Sequence, residues 1–384
     1  MKLIKREINN NNREIYMINK IDTNDRKRKI RNPGIDSVKV LAMYAIIIHH
    51  ILLHAKVYIK YNKYKEIALM NISSFWHVSS YALVSGYIGY KSHKYSNLLY
   101  LWLCVLFYSL CFTYIFGKIK LETNAEAITF KDYFPVNFGK YWYFTKYFGM
   151  YLFLPVINKG ISNLSKSELR IVVISLILIY IILKDIINPG RDIYVMNYGY
   201  SVLWLLIYYI TGAYIEIYKK EYHGIKNKIT LFIIYIFVFN FSTYLCFKLA
   251  YYQKGYLKIL KRVFAIRINS FPMIIQSISI TLLLTQIKYN KYLAKIITFL
   301  GPLTFGIYLV HENPIFRNNV IKQLFIKDSY NLSLYTVIKL VLIRGLKVFI
   351  FSIIVDYFRN KIFVILRLRK ICIFFENCIF KFIN

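Results

Sequence analysis

Long apolar runs separated by short polar gaps constrain this chain more than any other feature of its sequence. About ten runs reach the length of a membrane-spanning helix, which needs roughly 20 mainly apolar residues. They lie near residues 38–55, 67–90, 97–117, 141–158, 170–187, 200–218, 229–250, 264–286, 295–312 and 335–356. Helices are expected because backbone polar groups in lipid must be satisfied within the segment. The sequence therefore predicts an all-α, polytopic membrane protein with about ten transmembrane helices.

Basic residues surround these runs and give the chain a formal net charge of +34. Lys side chains at the ends of apolar segments anchor helices at the membrane surface, and they favour anionic lipids as partners. We therefore expect contact with membrane lipids and no nucleic-acid partner. The basic N-terminal tail is predicted to stay in the cytoplasm by the positive-inside rule. An even number of spans then makes both termini cytoplasmic.

Three segments follow from this pattern. Residues 1–35 form a basic cytoplasmic tail, 36–356 a transmembrane domain, and 357–384 a basic amphipathic tail lying along the membrane. A degenerate eleventh span is the other reading of the last segment. The N-terminal tail differs from a secretory signal because its apolar core begins too late. The five cysteines lack disulfide-framework or metal-type spacing, so we predict no metal site.

The first run, "DSVKVLAMYAIIIHHILLHA", carries charged groups and histidines that a bilayer penalises. An α-helix turns about 100° per residue, so Asp36, Lys39, His50 and His54 fall within one narrow arc, while His49 points elsewhere. Lys39 and His50 are about 16 Å apart along the helix axis. Ionisable groups in a span usually face a protein interior or a wet cavity. We therefore predict a functional histidine here, because neutral imidazole can act as a general base.

A basic residue, ten intervening residues and a histidine, here Lys39 and His50, resemble the signature of the acyltransferase-3 family of membrane acyltransferases. Asp36, three positions before Lys39, also fits. The family residue at this position is more commonly Arg, so Lys39 is a variant of the pattern. The doubled histidine followed by His54 resembles the capsular and exopolysaccharide O-acetyltransferases of that family.

Four further stretches are similar to family motifs. They are "VSGYIGYKSHK" (84–94), "KYWYFTKYFGMYLFLPVIN" (140–158), "GPLTFGIYLVHENPIFR" (301–317) and "IIVDYFRN" (353–360). In the second, Trp142, Thr145, Tyr147, Tyr151 and Pro155 stand in matching places. The resemblance covers roughly residues 30–360, and the motifs occur in the family order.

The resemblance implies a ten-helix enzyme in the bacterial plasma membrane. Such an enzyme moves an acyl group, usually acetyl, from acetyl-CoA to a hydroxyl of a cell-surface glycan or its precursor. Acetyl-CoA would be a substrate, and no tightly bound cofactor is implied. His50 would be the general base, and Lys39, Asp36 and Arg31 would bind or orient the acyl donor. Asp36 could instead form a purely structural pair with Lys39 at the start of the helix. The acyl group could move directly to the acceptor or through a transient acyl-His50.

Acceptor-binding candidates lie on the first and fourth predicted helices and at the end of the ninth. Asn-Pro ends the ninth predicted helix and sets the residues around it at the extracytoplasmic face. The candidates are His54, Trp142, Tyr147, Tyr308, His311, Glu312 and Arg317. An aromatic belt competes as the explanation for Trp142 and Tyr147, and an interfacial role competes for His311. Ser85 with Gly86 is better explained by close helix packing than by a nucleophile.

Two other function classes suit a polytopic protein with intramembrane charge. The main alternative is a flippase or transporter of a polysaccharide or lipid-linked sugar. Against it, the sequence shows no inverted repeat, and the histidines concentrate on one helix. An integral-membrane glycosyltransferase or polymerase is the third option, but no paired acidic motif supports it. The identity of the acceptor and the length of the acyl group are open.

Overall fold

The computed structural model describes residues 31–119, 130–187, 191–223, 228–251 and 269–383. Helices make up 82% of the structure, and no strand occurs in the ranges described, which confirms the all-α prediction. The main helices are α1 (Pro33–His54), α2 (Lys65–Ser73), α3 (His77–Gly89), α4 (Tyr95–Ile119), α5 (Trp142–Asn163), α6 (Lys166–Ile177), α7 (Val202–His223), α8 (Lys228–Tyr251), α9 (Phe271–Gln286), α10 (Lys291–Leu300), α11 (Thr304–His311), α12 (Leu334–Ile365) and α13 (Leu368–Ile383). Most of the predicted basic tail, residues 1–30, lies outside the described residues.

Three segments of the described chain are long and apolar enough to cross a membrane by length and composition. They are Pro33–His54, Tyr95–Ile115 and Lys291–His311. Two shorter apolar helices, Ile229–Leu245 and Phe271–Gln286, fall below that length. An apolar helical bundle with such segments is a membrane protein.

Two predicted runs are interrupted in the structure. The run near 67–90 is split between α2 and α3, because the side chains of Ser73 and Ser74 hydrogen-bond to the carbonyls of Met70 and Asn71 at 2.9 and 2.6 Å. Such local bonds offer the backbone an alternative to the helix. The run near 295–312 contains a 3₁₀ turn at Gly301–Leu303, which separates α10 from α11. The last run extends further than predicted, because α12 continues to Ile365.

Helix α1 lies at the centre of the bundle, where it contacts α3, α9, α10, α11 and α12. It begins at Pro33 because Asn32 caps it, its side-chain oxygen accepting from the Gly34 N–H at 2.8 Å. Pro suits the first helical position, and Asn suits the cap. Ile47, Ile51 and the helix's other core-facing residues are buried. Among the polar side chains of α1, Asp36 is buried, and Lys39 and the three histidines are half-buried.

Helices α3 and α7 approach each other through glycines. A Cβ atom added at Gly86 would lie 1.8 Å from the carbonyl oxygen of Tyr209, and one at Gly212 would lie 1.9 Å from that of Leu83. Small residues allow such close approach of helix backbones in membranes. The packing interpretation of Ser85 and Gly86 therefore agrees with the contacts.

Replacing Gly86 with Ala should lower the thermal midpoint of the detergent-solubilised protein. The added methyl group meets backbone, which cannot move aside, and overpacking typically costs about 1–3 kcal/mol. Gly160→Ala is the matched control, because nothing lies within 4 Å of its added Cβ. That control should match or slightly exceed the wild type, since Ala favours a helix over Gly. Equal midpoints for the two variants would contradict the packing argument.

The segment between α11 and α12 is fastened to the rest of the bundle. Lys60 donates to the carbonyls of Phe325 and Asp328, both at 2.7 Å. Arg344 on α12 pairs with the Asp328 carboxylate through both of its terminal nitrogens. The hydrogen bonds from Arg344 lower the pKa of Asp328. Because Lys60 follows α1 closely, these bonds hold the segment against the C-terminal end of α1.

A buried ion pair fixes the position of α11 on α12. Asp356 receives two hydrogen bonds from Arg359, both at 2.9 Å, and one from the Tyr108 hydroxyl at 2.9 Å. Gly306 of α11 lies directly against this carboxylate, where an added Cβ would come within 1.7 Å of it. Helix α11 therefore has no room to shift along α12 at this point.

Candidate active site

The structure brings His50 together with the end of α11. Its Nδ1 lies 2.8 Å from Oε2 of Glu312 and 3.2 Å from Nε2 of His311. His311 and Glu312 are buried, and the His50 side chain is 13% exposed. The two histidine groups that the sequence suggested separately, on the first and ninth predicted helices, are therefore one cluster.

The hydrogen bonds of His311 determine which nitrogen of His50 is free. Nδ1 of His311 lies 2.7 Å from the carbonyl oxygen of Ile307, which can only accept, so this nitrogen carries a proton. Nε2 of a neutral His311 is then an acceptor, and Nδ1–H of His50 points toward it beside the Glu312 carboxylate. A neutral His50 that donates from Nδ1 has an unprotonated Nε2, the nitrogen that a general base uses.

Glu312 is held from the other side by Arg317. Its Oε1 accepts from Nη1 of Arg317 at 2.6 Å. The sequence folds this way locally because Asn313 and Pro314 end α11, with the Asn313 side-chain oxygen capping the next turn at the Ile315 N–H, 3.0 Å away. A π-helical turn over Arg317–Ile321 follows. This sharp change of direction returns Arg317 to the carboxylate.

The remaining histidines of α1 have different surroundings. The ring centroid of His54 lies 5.3 Å from that of His50, on the same side of the helix. His49 faces α2, where its Nδ1 is 2.8 Å from the side-chain oxygen of Asn71. The helical periodicity had separated His49 from the other two in this way.

An apolar cavity of about 70 Å³ adjoins His50. It is lined by Met43, Ile46, His50, Val78, Tyr81, Trp142, Tyr143, Phe305 and Tyr308. A second cavity of about 210 Å³ is lined by Lys39, Ser85 and Tyr147, among others, and it shares Tyr81, Tyr143 and Phe305 with the first. The two cavities therefore lie next to each other between Lys39 and His50, with these three aromatic side chains forming the wall between them.

Lys39 belongs to a charged group at the beginning of α1. The buried Asp36 carboxylate pairs with Arg31, whose Nη2 lies 3.1 Å from Oδ1, and with Nζ of Lys39 at 3.5 Å. Gly301 packs closely against this carboxylate. The two cations and one carboxylate leave an excess of positive charge, and Lys39 presents it to the second cavity.

His50, His311 and Glu312 also place three possible metal-ligand atoms within 4.8 Å of one another. The same atoms lie at hydrogen-bond and ion-pair distances from each other. Arg317 already supplies a positive charge to Glu312, which opposes a divalent cation. A site without metal remains a prediction, and metal analysis of purified protein would test it.

Three residues of this region were missed by the sequence reasoning. His77 lies on α3 with its ring centroid 5.4 Å from that of His49, and Tyr81 and Phe305 stand between the two cavities together with Tyr143. A usable signal existed for His77, because an ionisable residue in an apolar helix suggests a functional site. Tyr81 and Phe305 had no comparable signal among so many other aromatic residues, whereas Tyr143 adjoins Trp142 and was a candidate for stacking on a sugar.

An apolar helical bundle with a buried histidine–glutamate cluster beside a cavity has an arrangement suited to an integral-membrane group-transfer enzyme. The chain belongs to the acyltransferase-3 family: the family model described as an acyltransferase domain matches residues 32–355. The protein is thus a membrane acyltransferase. No curated protein and no solved structure matches the chain.

Proposed function

We propose that this enzyme transfers an acetyl group from acetyl-CoA to a hydroxyl of a cell-surface glycan or its precursor. The observation that carries the proposal is the position of His50, whose Nε2 has no hydrogen-bond partner among the described residues, beside two neighbouring cavities of which one is lined by Lys39. The setting we propose is the bacterial plasma membrane, with about ten spans and both termini in the cytoplasm.

The acyl donor approaches from the Lys39 end. Acetyl-CoA carries phosphates, and the ammonium of Lys39 with the exposed guanidinium of Arg31 attracts them. Asp36 fixes both cations in place. The slender pantetheine arm then follows the apolar cavities inward for the roughly 16 Å that separate Lys39 from His50 along α1. Tyr147 lines the Lys39 cavity, so we reassign it from the acceptor to the donor path.

His50 is the general base in this proposal. Its Nε2 takes the proton of the acceptor hydroxyl while the oxygen attacks the thioester carbonyl, forming the new C–O bond. The C–S bond then breaks, and the departing CoA thiolate takes this proton from His50. Glu312, held by Arg317, stabilises the imidazolium that exists between these steps. In the net reaction, the acyl group moves from sulfur to oxygen and one proton moves from the acceptor hydroxyl to the thiol of CoA.

A transient acyl-histidine would use the same nitrogen as nucleophile. A burst of CoA release before any acceptor is added would favour that route, and strict acceptor dependence would favour direct transfer. The acceptor candidates His54, Trp142, Tyr308 and His311 surround His50, so either route leaves them near the reacting atoms.

Purified protein with radiolabelled acetyl-CoA tests the function. We expect CoA release and transfer of label to glycan extracted from the same cells. The NMR spectrum of surface glycan should lose O-acetyl signals when the gene is deleted. Glycan movement in vesicles without any acetyl transfer would instead support the polysaccharide transporter.

Replacing Lys39 with Gln should raise the KM for acetyl-CoA about tenfold with little change in kcat. A hydrogen bond to a charged group contributes roughly 1.5–3 kcal/mol, and tenfold corresponds to about 1.4 kcal/mol. Lys159→Gln, an exposed lysine on α5, controls for loss of surface charge. Lys39→Arg should restore the wild-type KM. An unchanged KM in Lys39→Gln would remove Lys39 from the donor site.

A further inference from the structure

The cavity beside His50 is bounded by apolar and aromatic side chains from four helices. On α1, the lining residues Met43, Ile46 and His50 follow one another at intervals of three and four residues. Val78 and Tyr81 of α3 are likewise three residues apart. Side chains at these intervals share one face of a helix. The remaining walls come from the first turn of α5 and from α11.

Two contacts of α3 give this cavity a direction. The ring centroid of His77, which directly precedes Val78, lies 5.4 Å from that of His49. The hydroxyl of Tyr81 donates to the backbone carbonyl of Lys39 at 2.7 Å. Helix α3 is therefore antiparallel to α1, with Val78 beside the histidines and Tyr81 toward Lys39.

Helix α11 also runs antiparallel to α1. Gly301, which precedes this helix, packs against Asp36 near the start of α1, and His311 at its end contacts His50. Phe305, one turn after Gly301, therefore lies on the side of the cavity that faces the start of α1.

The cavity consequently has a donor side and a far end. Tyr81, Tyr143 and Phe305 stand on the donor side, where they also line the cavity that contains Lys39. Val78 lies at the far end, beside His50. In the proposed function the donor approaches from Lys39, so its acyl group enters this cavity with the hydrocarbon tail directed toward Val78.

The lining suits a hydrocarbon better than a sugar. The hydroxyl of Tyr81 is used by the Lys39 carbonyl, and that of Tyr308 accepts from the Tyr143 N–H at 3.3 Å. The Tyr143 hydroxyl is itself buried within the protein. A carbohydrate in this cavity would leave most of its hydroxyl groups without partners, which is costly, whereas an alkyl tail has none to satisfy.

The size of the cavity, about 70 Å³, also limits what it can hold. An apolar protein cavity of about 150 Å³ binds benzene, which has six carbon atoms. By that measure the cavity beside His50 holds about three non-hydrogen atoms, the number in an acetyl group. A butyryl group has two more methylenes, and even one extra methylene in an apolar pocket typically changes discrimination by roughly tenfold or more.

We propose that this cavity is the acyl pocket of the enzyme and that Val78, at its far end, limits the length of the acyl chain. The inference rests on the proposed function, because it names the part of the site that holds the donor's acyl group. Ile46 forms the α1 side of the same pocket. A short chain fits with its thioester beside His50, whereas a longer chain meets Val78 before the thioester reaches the imidazole.

A series of radiolabelled acyl-CoA donors tests the pocket, with purified enzyme and glycan extracted from the same cells. For the wild type, kcat/KM should be at least about tenfold lower with butyryl-CoA than with acetyl-CoA. Val78→Ala removes two carbon atoms from the far end and should shift this ratio about tenfold or more toward butyryl-CoA. Val84→Ala is the matched control, because Val84 is a valine of the same helix, 2% exposed, that lines neither cavity. It should keep the wild-type ratio.

The ratio is taken on one preparation, so a smaller folded fraction in a variant cancels. Ile46→Val removes a single methyl group and should shift the ratio in the same direction, about threefold. An unchanged ratio in Val78→Ala, or the same shift in Val84→Ala, would overturn the pocket. A wild type that transfers acetyl and butyryl equally well would overturn the pocket alone. A wild type that transfers no acyl group would overturn the proposed function, and the pocket with it.

Discussion

His50→Ala is expected to abolish acyl transfer, lowering kcat/KM by about 10³-fold, within the range typical of a general base. The loss follows because Ala removes the imidazole that contacts Glu312 and His311 through Nδ1 and is proposed to receive the proton of the acceptor hydroxyl at Nε2. Radiolabelled acetyl transfer by purified enzyme measures it. Because the His50 side chain is 13% exposed and borders a cavity, its truncation should leave membrane insertion intact.

His49→Ala provides the control for His50→Ala. The two residues are adjacent, but His49 faces α2 and pairs with Asn71. We expect this variant to lose less than tenfold in rate. Full activity of His50→Ala at normal membrane levels would eliminate His50 as the base, and equal losses in both variants would indicate a structural role for the pair.

Glu312→Gln is expected to cause the second-largest loss, about 100-fold or more in kcat. An amide has nearly the shape of the carboxylate but cannot stabilise an imidazolium by charge. Removing the carboxylate beside a catalytic histidine costs about 10⁴-fold in serine proteases, where it is likewise buried. The measurement is kcat at saturating acetyl-CoA, since Glu312 lies away from Lys39, which is proposed to bind the donor.

Arg317 separates charge effects from folding effects in this experiment. Glu312→Gln leaves Arg317 without its carboxylate, and an unpaired, partly buried charge destabilises the fold. The double variant Glu312→Gln, Arg317→Gln removes that strain. We expect it to recover thermal stability while remaining inactive. Recovery of activity in the double variant would show that Glu312 serves only to neutralise Arg317.

The helical features of α1 could be predicted because they depend on local geometry. The period of the α-helix separates His49 from His50 and His54, and the structure agrees, with His49 at Asn71 and His54 beside His50. Apolar runs of sufficient length likewise predicted an all-α membrane protein. These properties depend on neighbours within a few residues, which the sequence displays directly.

The contact of His50 with His311 and Glu312 could not be predicted in the same way. The two groups are 261 residues apart, and their contact depends on which helices pack together. The break between α2 and α3 was also missed, because hydropathy registers Ser73 and Ser74 only as mildly polar. The effect of these residues is the hydrogen bonding of their hydroxyls to the preceding turn.

The distance in sequence between His50 and Glu312 has a consequence for the making of the protein. Synthesis runs from the N-terminus, so His50 enters the membrane before most of the chain has been translated. Until Glu312 and Arg317 emerge, the imidazole has no carboxylate to fix its proton. A nascent or prematurely terminated chain therefore carries Lys39 and His50, the proposed donor-binding residue and base, but not their finished arrangement. The proposed reaction therefore requires a chain that has been translated at least as far as Arg317.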